Sequence, residues 1–415
     1  MHKKRVLIIG TTDNQGGAAS VGWDLGHELI KRGYSVKYIV GYKKSNKDYV
    51  YELHKPIITK WLDQHTRYNA TGLYRHLIAY FTGNNIDSGA SDEILNHPWY
   101  KSADIVHCHN LHGNFFKLDT LIKISEEKKL VWTLHDMSPI TGKCAYIEDQ
   151  NAWKDGYHRC NNLSSYPPML WDNTQYMWKR KSEIYSELQN GVIVIPSKWL
   201  YDIVTKSILK NLPKQLIYNG IDTSIFYPKL KSQLRKKLNL PPSKKIIIFT
   251  AQGGQYDPRK GWKFVEQIID QYKDNKDVHF ICIGSGTSLL HSDNITIIPF
   301  IQDKKLLSEY YKASDVLLFT SLVENCPLVV LEAMSCGLPI VSLHVGGVPE
   351  LVTHKINGYI AKYKDGEDLS VGLKWALNLT DSETEQLATI NRKKVMDKYS
   401  SDKMVDQYEA LFKRI

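Results

Sequence analysis

Two glutamates, Glu324 and Glu332, stand eight positions apart in the stretch "LVENCPLVVLEAMSCGLPIV". Glu332 falls among Leu328, Val329, Val330, Leu331, Ala333 and Met334, where a carboxylate is costly to bury unless something hydrogen-bonds it. With this segment helical, a rise of about 1.5 Å per residue separates the two acids by on the order of 10 Å. That span suits a diphosphate with a sugar on each side, each acid accepting hydroxyl hydrogens from one sugar. The helix N-terminus would turn its N–H groups and positive dipole end towards the anion. Asn325 is the expected N-cap, Pro327 fits the first turn and Gly337 is the expected residue just past the helix. The competing reading of these two residues alone is a capping carboxylate at Glu324 and a side-exposed Glu332.

Cations for such an anion come from "GGQYDPRKGW", where Lys260 offers a point charge and Arg259 a fork. Glycines at Gly16 and Gly17, and at Gly284 and Gly286 of "GSG", follow strand-like runs and allow close backbone approach to a ligand. The first pair is not a GxGxxG motif and no acidic residue follows at the dinucleotide spacing, which disfavours a nicotinamide cofactor. His135 and Asp136 end "LVWTLHD" as a polar pair; the plainer reading is a capping Asp with a satisfied His. "HCHNLHG" crowds His107, His109 and His112, read as polar substrate contacts or packing in preference to a metal. Cys144, His158 and Cys160 are weighed as remnants of a zinc site, and the missing close Cys pair counts against it. With no Asp-x-Asp element to chelate a nucleotide-bound metal, charge on a leaving diphosphate falls to Lys260 and the helix dipole.

The elements that must hold these residues repeat a pattern. "RVLIIG" reads as a buried parallel strand, "TTDNQGGAAS" as a polar loop and "VGWDLGHELIKRG" as a helix, with "YSVKYIVG" the next strand. The rhythm continues through "DIVHCHN", "LVWTLHD" and "GVIVIPS", breaks near Asn219–Pro228, then restarts at "KKIIIFTAQGG". Alternating strands and helices predict two doubly wound, Rossmann-like α/β domains. Ligands on such sheets bind beyond the carboxyl ends of the strands, where all the candidates fall. The tail "SSDKMVDQYEALFKRI" is amphipathic through Met404, Val405, Tyr408, Leu411 and Phe412, and reads as a closing helix.

At 415 residues two domains are expected, and 42% hydrophobic with 24% charged residues is ordinary for a folded chain. The net charge of +10 favours anionic partners, but the basic residues are scattered, so nucleic acid is not singled out. Six cysteines are too few for a disulfide framework and suit a reducing compartment. The apolar run at the start is too short for a signal peptide, and no run is long enough to span a membrane.

Taken with "EAMSCGLPIV", "GGVPELV", "YNGID" and "PRKG", the chain resembles the family 4 retaining glycosyltransferases of the GT-B fold, two Rossmann-like domains facing across a cleft. "DIVHCHNLHG" and "VWTLHDMSPITGKC" are similar to bacterial transferases of capsule, exopolysaccharide and O-antigen synthesis. The resemblance implies transfer of a sugar from a nucleotide-diphosphate sugar to an acceptor hydroxyl, with retention and without cofactor or metal. It implies catalytic roles for His135, Glu324 and Lys260. Donor binding would fall to Gly17, Arg259, Lys260, Gly284, Glu324, Asn325, Cys326, Leu328 and Glu332. Acceptor binding would fall to Gly16, His109, Asn110 and Asp136. Residues 1–220 would be the acceptor domain, joined by a closing helix at 400–415, and 221–399 the donor domain. Family members usually carry an arginine early in the loop before the phosphate lysine; here Gly254 and Gln255 stand there, leaving one cation fewer unless Arg259 turns inward.

Expected partners are the nucleotide sugar and a glycan or lipid-linked acceptor, not nucleic acid. The basic, aromatic stretch "KPIITKWLDQHTRYNATGLYRHLIAYFTG" suggests an anionic membrane surface, a packed helix pair being the alternative. The expected location is cytoplasmic or peripheral at the inner face of the membrane. Rival functions are a sugar-nucleotide epimerase or hydrolase on the same fold, and a non-catalytic nucleotide-sugar-binding protein.

Overall fold

Continuous β-branched runs such as Ile246, Ile247 and Ile248, each fully buried, suit strands covered on both faces rather than one. The computed structural model describes residues 4–53, 70–87, 89, 91–146, 163–164, 167–284 and 293–415. Two compact units emerge, one of residues 1–217 with 405–415 and the other of residues 218–404.

In the first unit seven strands form one sheet: β1 (Arg5–Thr12), β2 (Ser35–Tyr42), β3 (Val50–Glu52), β4 (Ile105–Cys108), β5 (Lys129–Thr133), β6 (Gly191–Ile195) and β7 (Lys214–Leu216). Their order is β3-β2-β1-β4-β5-β6-β7, and every neighbouring pair is parallel. The helix Gly17–Lys31 covers one face through Val21, Leu25 and Leu29. Leu7, Ile9, Val106, Leu130 and Trp132 stand among the buried residues of the core.

The second unit carries β8 (Lys245–Thr250), β9 (Val278–Ile283), β10 (Ile295–Ile298), β11 (Val316–Phe319), β12 (Ile340–Leu343) and β13 (Gly358–Ala361). The order β10-β9-β8-β11-β12-β13 is again wholly parallel. In each sheet the strand order reverses between the first strand and the fourth. That switch point, β1/β4 and β8/β11, is where a doubly wound sheet opens a crevice for ligands.

The closing helix, Ser401–Arg414, buries Met404, Val405, Tyr408, Leu411 and Phe412 as its periodicity predicts. Tyr408 shares a 2.8 Å hydrogen bond with Thr133 at the end of β5, and Arg32 donates to Asp406 at 2.6 Å and Glu409 at 2.8 Å. Among the described residues no helix is long and apolar enough to cross a membrane. Of the basic, aromatic stretch only the helix Ala70–Thr82 and the turn after it are described; Leu73, Tyr74, Leu77 and Phe81 on it are exposed.

Candidate active site

Leaving β8, the chain makes two short 3-10 turns, Gly254–Tyr256 and Pro258–Lys260, before the helix Trp262–Gln271. Asp257 accepts from the Arg259 backbone N–H at 3.0 Å and grips the guanidinium twice, at 2.9 and 2.8 Å. Arg259 is therefore held to its own loop by a bidentate ion pair two residues away. Lys260 takes the other direction. Its Nζ lies 2.7 Å from Glu324 Oε1, the two side chains 26% and 15% exposed.

Backbone contacts lock these loops to the switch point. Leu322 N–H donates to Arg259 O and the Thr320 hydroxyl donates to Lys260 O, both at 2.7 Å. Gly261 adopts φ +65°, and a Cβ there would stand 2.1 Å from Thr320 O. This is the physical content of "PRKG": only glycine lets the loop lie against the end of β11. Gly346, at φ +48°, does the same from β12, since a Cβ would fall 1.6 Å from Glu324 O. Gly347 N–H donates to that oxygen at 3.2 Å. Asn219 of "YNGID" donates its side-chain amide to Cys326 O at 3.0 Å. The Glu324 loop is thus held from three sides.

The helix that follows runs Leu328–Ser335, with Pro327 in extended conformation at the N-cap and no side-chain cap. Asn325 is not the cap. Helical geometry begins three residues beyond it, and the buried Asn325 belongs to the loop. Cys326 is buried in the same loop and Leu328 opens the helix. Gly337, at φ +86°, ends it as expected, with Gly337 N–H on Met334 O and Leu338 N–H on Ala333 O. Glu332 is buried, and the Tyr311 hydroxyl donates to its Oε2 at 3.4 Å. The side-exposed reading of Glu332 is overturned. Tyr311, from the helix Lys304–Ala313, was not foreseen, because its partner lies 21 positions away in sequence. Gly284 ends β9 with its N–H on Ile298 O, while Ser285 and Gly286 lie outside the described residues.

In the first unit Gly16 is the N-cap of Gly17–Lys31 at φ 96° and ψ 158°, a conformation essentially reserved for glycine. Gly17 is already helical and exposed, and nothing lies within 4 Å of where its Cβ would stand. The loop expected to extend past it is therefore short. Asp13 fixes that loop by accepting from Lys44 N–H at 2.7 Å and Ser45 N–H at 2.9 Å.

The next strand ends bring the histidines together. His109 Nδ1 and His135 Nε2 are 2.8 Å apart with rings 12° from parallel, and both side chains are buried. His107 packs against His109 and bonds Thr133 Oγ1 at 2.8 Å. Burial lowers the His135 pKa to about 4, Asp136 opposing the shift and His112 adding to it; burial lowers His107 to about 3. Asp136 is buried too, which raises its pKa, yet it ends below the usual carboxylate value because His112 Nε2 at 2.8 Å and the Ser138 N–H at 2.8 Å hold the ionised form. His109, expected to reach an acceptor, is instead committed to His135; Asn110 beside it is half-buried. Lys181 pins the loop beyond, donating to Ser138 O, Thr141 O and Gly142 O. His158 and Cys160 lie outside the described residues, among which no group of three or more His, Cys, Asp or Glu is placed to hold a metal ion.

Two Rossmann-ordered sheets, with acids, a lysine and histidines at the strand ends, match the arrangement expected of a glycosyltransferase of the GT-B fold. The profile of Glycosyltransferase Family 4 matches residues 15–225 and that of Glycosyl transferases group 1 matches residues 231–394, so the chain belongs to glycosyltransferase family 4. It is 26% identical over 353 residues to the putative colanic acid biosynthesis glycosyl transferase WcaC of Escherichia coli, covering 81% of this chain and 82% of that one. It is 23% identical to an uncharacterized protein in the cps region of Klebsiella pneumoniae, covering 80% and 85%. The fold matches a sucrose-phosphate synthase of Thermosynechococcus elongatus with a TM-score of 0.71 at 16% identity, over 99% of both chains. It also matches Anabaena HepE in complex with UDP-glucose, with a TM-score of 0.65 at 14% identity over 99% of this chain and 100% of that one.

Proposed function

We propose that the protein is a retaining glycosyltransferase that moves a sugar from a nucleotide-diphosphate sugar to an acceptor hydroxyl during synthesis of a bacterial surface polysaccharide. The observation that carries this reading is the Lys260–Glu324 pair at the β8/β11 switch point, beside the helix that buries Glu332. An arriving diphosphate draws the ammonium to itself, and Glu324 is then released to accept a hydroxyl hydrogen of the donor sugar. The first N–H groups of Leu328–Ser335 share the anion's charge. With Arg259 held by Asp257, Lys260 is the side-chain cation of this loop assigned to the leaving group. Glu332 takes the ribose.

From the first unit, Gly17 offers open backbone to the diphosphate and His135 a neutral ring to the transferring sugar, while Gly16, Asn110 and Asp136 serve the acceptor side. The first unit thus reads as the acceptor domain and the second as the donor domain. The colanic acid and capsule-region relatives support the polysaccharide assignment, and the HepE complex supports a nucleotide-sugar donor. No metal is assigned to the reaction, because an ammonium and a helix end already answer the diphosphate charge. A lipid-linked acceptor and an anionic membrane surface are proposed as partners beside the exposed face of Ala70–Thr82.

The test is a thermal-shift panel of nucleoside diphosphates and their sugars, where a ligand at about 100 times its dissociation constant adds about 2.7 kcal/mol. The stabilising sugar nucleotide is then incubated with and without glycan acceptors, with and without EDTA, and the product anomer is read by NMR. Retained configuration and EDTA-insensitive, acceptor-dependent turnover are expected. Turnover without acceptor, or an inverted product, would overturn the reading.

A further inference from the structure

His109 occupies a position that a merely packed core histidine does not explain. Its backbone is fixed on both sides, with its N–H on Ile9 O at 2.9 Å and its carbonyl accepting from Trp132 Nε1 at 3.0 Å. Its ring is 3% exposed, sandwiched between His107, at a centroid distance of 4.3 Å, and His135, at 5.1 Å. One ring nitrogen, Nδ1, is 2.8 Å from His135 Nε2. The other, Nε2, is buried and has no hydrogen-bond partner among the described residues. It lies against the helix Gly17–Lys31 at Gly22, where a Cβ would stand 3.1 Å from it.

A single proton is shared across the bond between these neutral rings, and the unpartnered nitrogen decides which ring owns it. Were His135 the donor through Nε2–H, the His109 proton would sit on its own Nε2, a buried N–H with nothing to bond. Orphaned buried N–H groups are rare, because such a group gives up its bond to water and gains none in return. With His109 the donor through Nδ1–H, its Nε2 keeps only a lone pair facing the Gly22 backbone, and no donor is stranded. His135 Nε2 is then filled as an acceptor, so the ring's own proton must be on Nδ1.

We infer that His109 is a positioning residue that locks His135 as the Nδ1–H tautomer, making it a hydrogen-bond donor to the transferring sugar and not a proton acceptor. This deepens, and rests on, the proposed placement of His135 beside that sugar. Burial supports it independently by keeping all three histidine rings uncharged: His107 and His135 are lowered to about 3 and about 4, and His109 well below the ordinary value. His112 and Asp136 are the other titratable groups acting on His135, and they oppose one another. A ring that can only donate suits a sugar hydroxyl oxygen, which accepts the hydrogen bond as a neutral group, and it removes His135 as a competing base for the acceptor proton.

The experiment is long-range proton–nitrogen NMR on the full-length protein labelled with 15N-histidine at neutral pH, with His135→Gln used to assign the His135 signals. The expected spectrum has a protonated Nδ1 and a bare Nε2 on His135, without any substrate present. A proton on His135 Nε2 would overturn the inference directly. Two variants test the lock. His109→Asn keeps an amide N–H where Nδ1 stood and is expected to preserve both the tautomer and turnover. His109→Leu removes the donor; His135 is expected to become a mixture of tautomers, with kcat falling on the order of 100-fold and the donor KM little changed. An unaltered His135 spectrum in His109→Leu also overturns the lock. Wild-type turnover in His135→Gln, alongside the expected tautomer, overturns only the placement of His135 at the sugar and leaves the lock standing.

Discussion

Lys260 Nζ lies 2.7 Å from Glu324 Oε1, so the cation proposed for the leaving group is already paired with the acid proposed for the donor sugar. Both side chains are partly exposed, which screens their attraction and makes the pair a modest contributor to folding. Lys260→Ala is therefore expected to cost at most about 1 kcal/mol of stability, yet to lower kcat roughly 100- to 1,000-fold through loss of transition-state charge stabilisation. Steady-state kinetics beside calorimetry separates the two. An unchanged kcat removes Lys260 from the leaving-group role.

Glu332 presents the opposite balance. It is buried, and the Tyr311 hydroxyl donates to its Oε2 at 3.4 Å. Hydrogen bonds to a charged group contribute about 1.5–3 kcal/mol. Glu332→Gln should therefore weaken binding of the preferred nucleoside diphosphate by roughly 10- to 100-fold. Tyr311→Phe should weaken it much less. Isothermal titration calorimetry reads both, and equal affinity in Glu332→Gln and wild type takes the ribose contact away from this residue.

Much of this arrangement was legible from local pattern. Fully buried parallel strands are continuous apolar runs, so Ile246–Phe249 and Val316–Phe319 announce themselves, and the residues just beyond them fall at the sheet's ligand edge. What stayed hidden depends on direction and distance in space. Nothing in "YDPRKG" says that Asp257 will capture Arg259 while Lys260 escapes. Asn325 satisfies the composition rule for an N-cap, but the extended Pro327 delays the helix to Leu328. His109 and His135 are 26 positions apart, and only the parallel pairing of β4 with β5 brings their rings into contact. The glycines of "GGVPELV" and "PRKG" are visible as motifs, whereas their purpose, clearance for Glu324 O and Thr320 O, depends on loops 22 and 59 positions away in sequence.

Those clearances give a contrast between glycines. Gly346→Ala places a methyl group against the Glu324 carbonyl at a positive φ, and such backbone strain costs about 1–3 kcal/mol before any clash is relieved. Gly17→Ala meets open space at the first residue of its helix, with no positive φ to strain an alanine. Urea titration should therefore show Gly346→Ala destabilised and Gly17→Ala neutral or stabilised. On the proposed role of the Gly17 backbone as a diphosphate contact, turnover should nevertheless fall in Gly17→Ala. A fully active Gly17→Ala enzyme would remove that backbone from the donor site.

The buried histidines set an acid limb to stability. Their folded-state pKa values, about 4 for His135 and about 3 for His107, lie below the ordinary 6.5 that the unfolded chain recovers. Between these limits the unfolded state binds more protons, so unfolding becomes easier as pH falls from 6.5. Each histidine contributes a slope of up to ~1.4 kcal/mol per pH unit. The His135 contribution levels off near pH 4 and that of His107 near pH 3. Asp136, also lowered, adds its own loss only below the ordinary aspartate value of 3.8 and does not confuse the upper window. His107→Gln keeps a side-chain amide that can reach Thr133 but takes up no proton, so its stability should fall less steeply than wild type as pH drops from 6.5 to 4. Denaturant titrations across that window measure the difference, and parallel curves for the two proteins would exclude His107 as a source of the acid sensitivity.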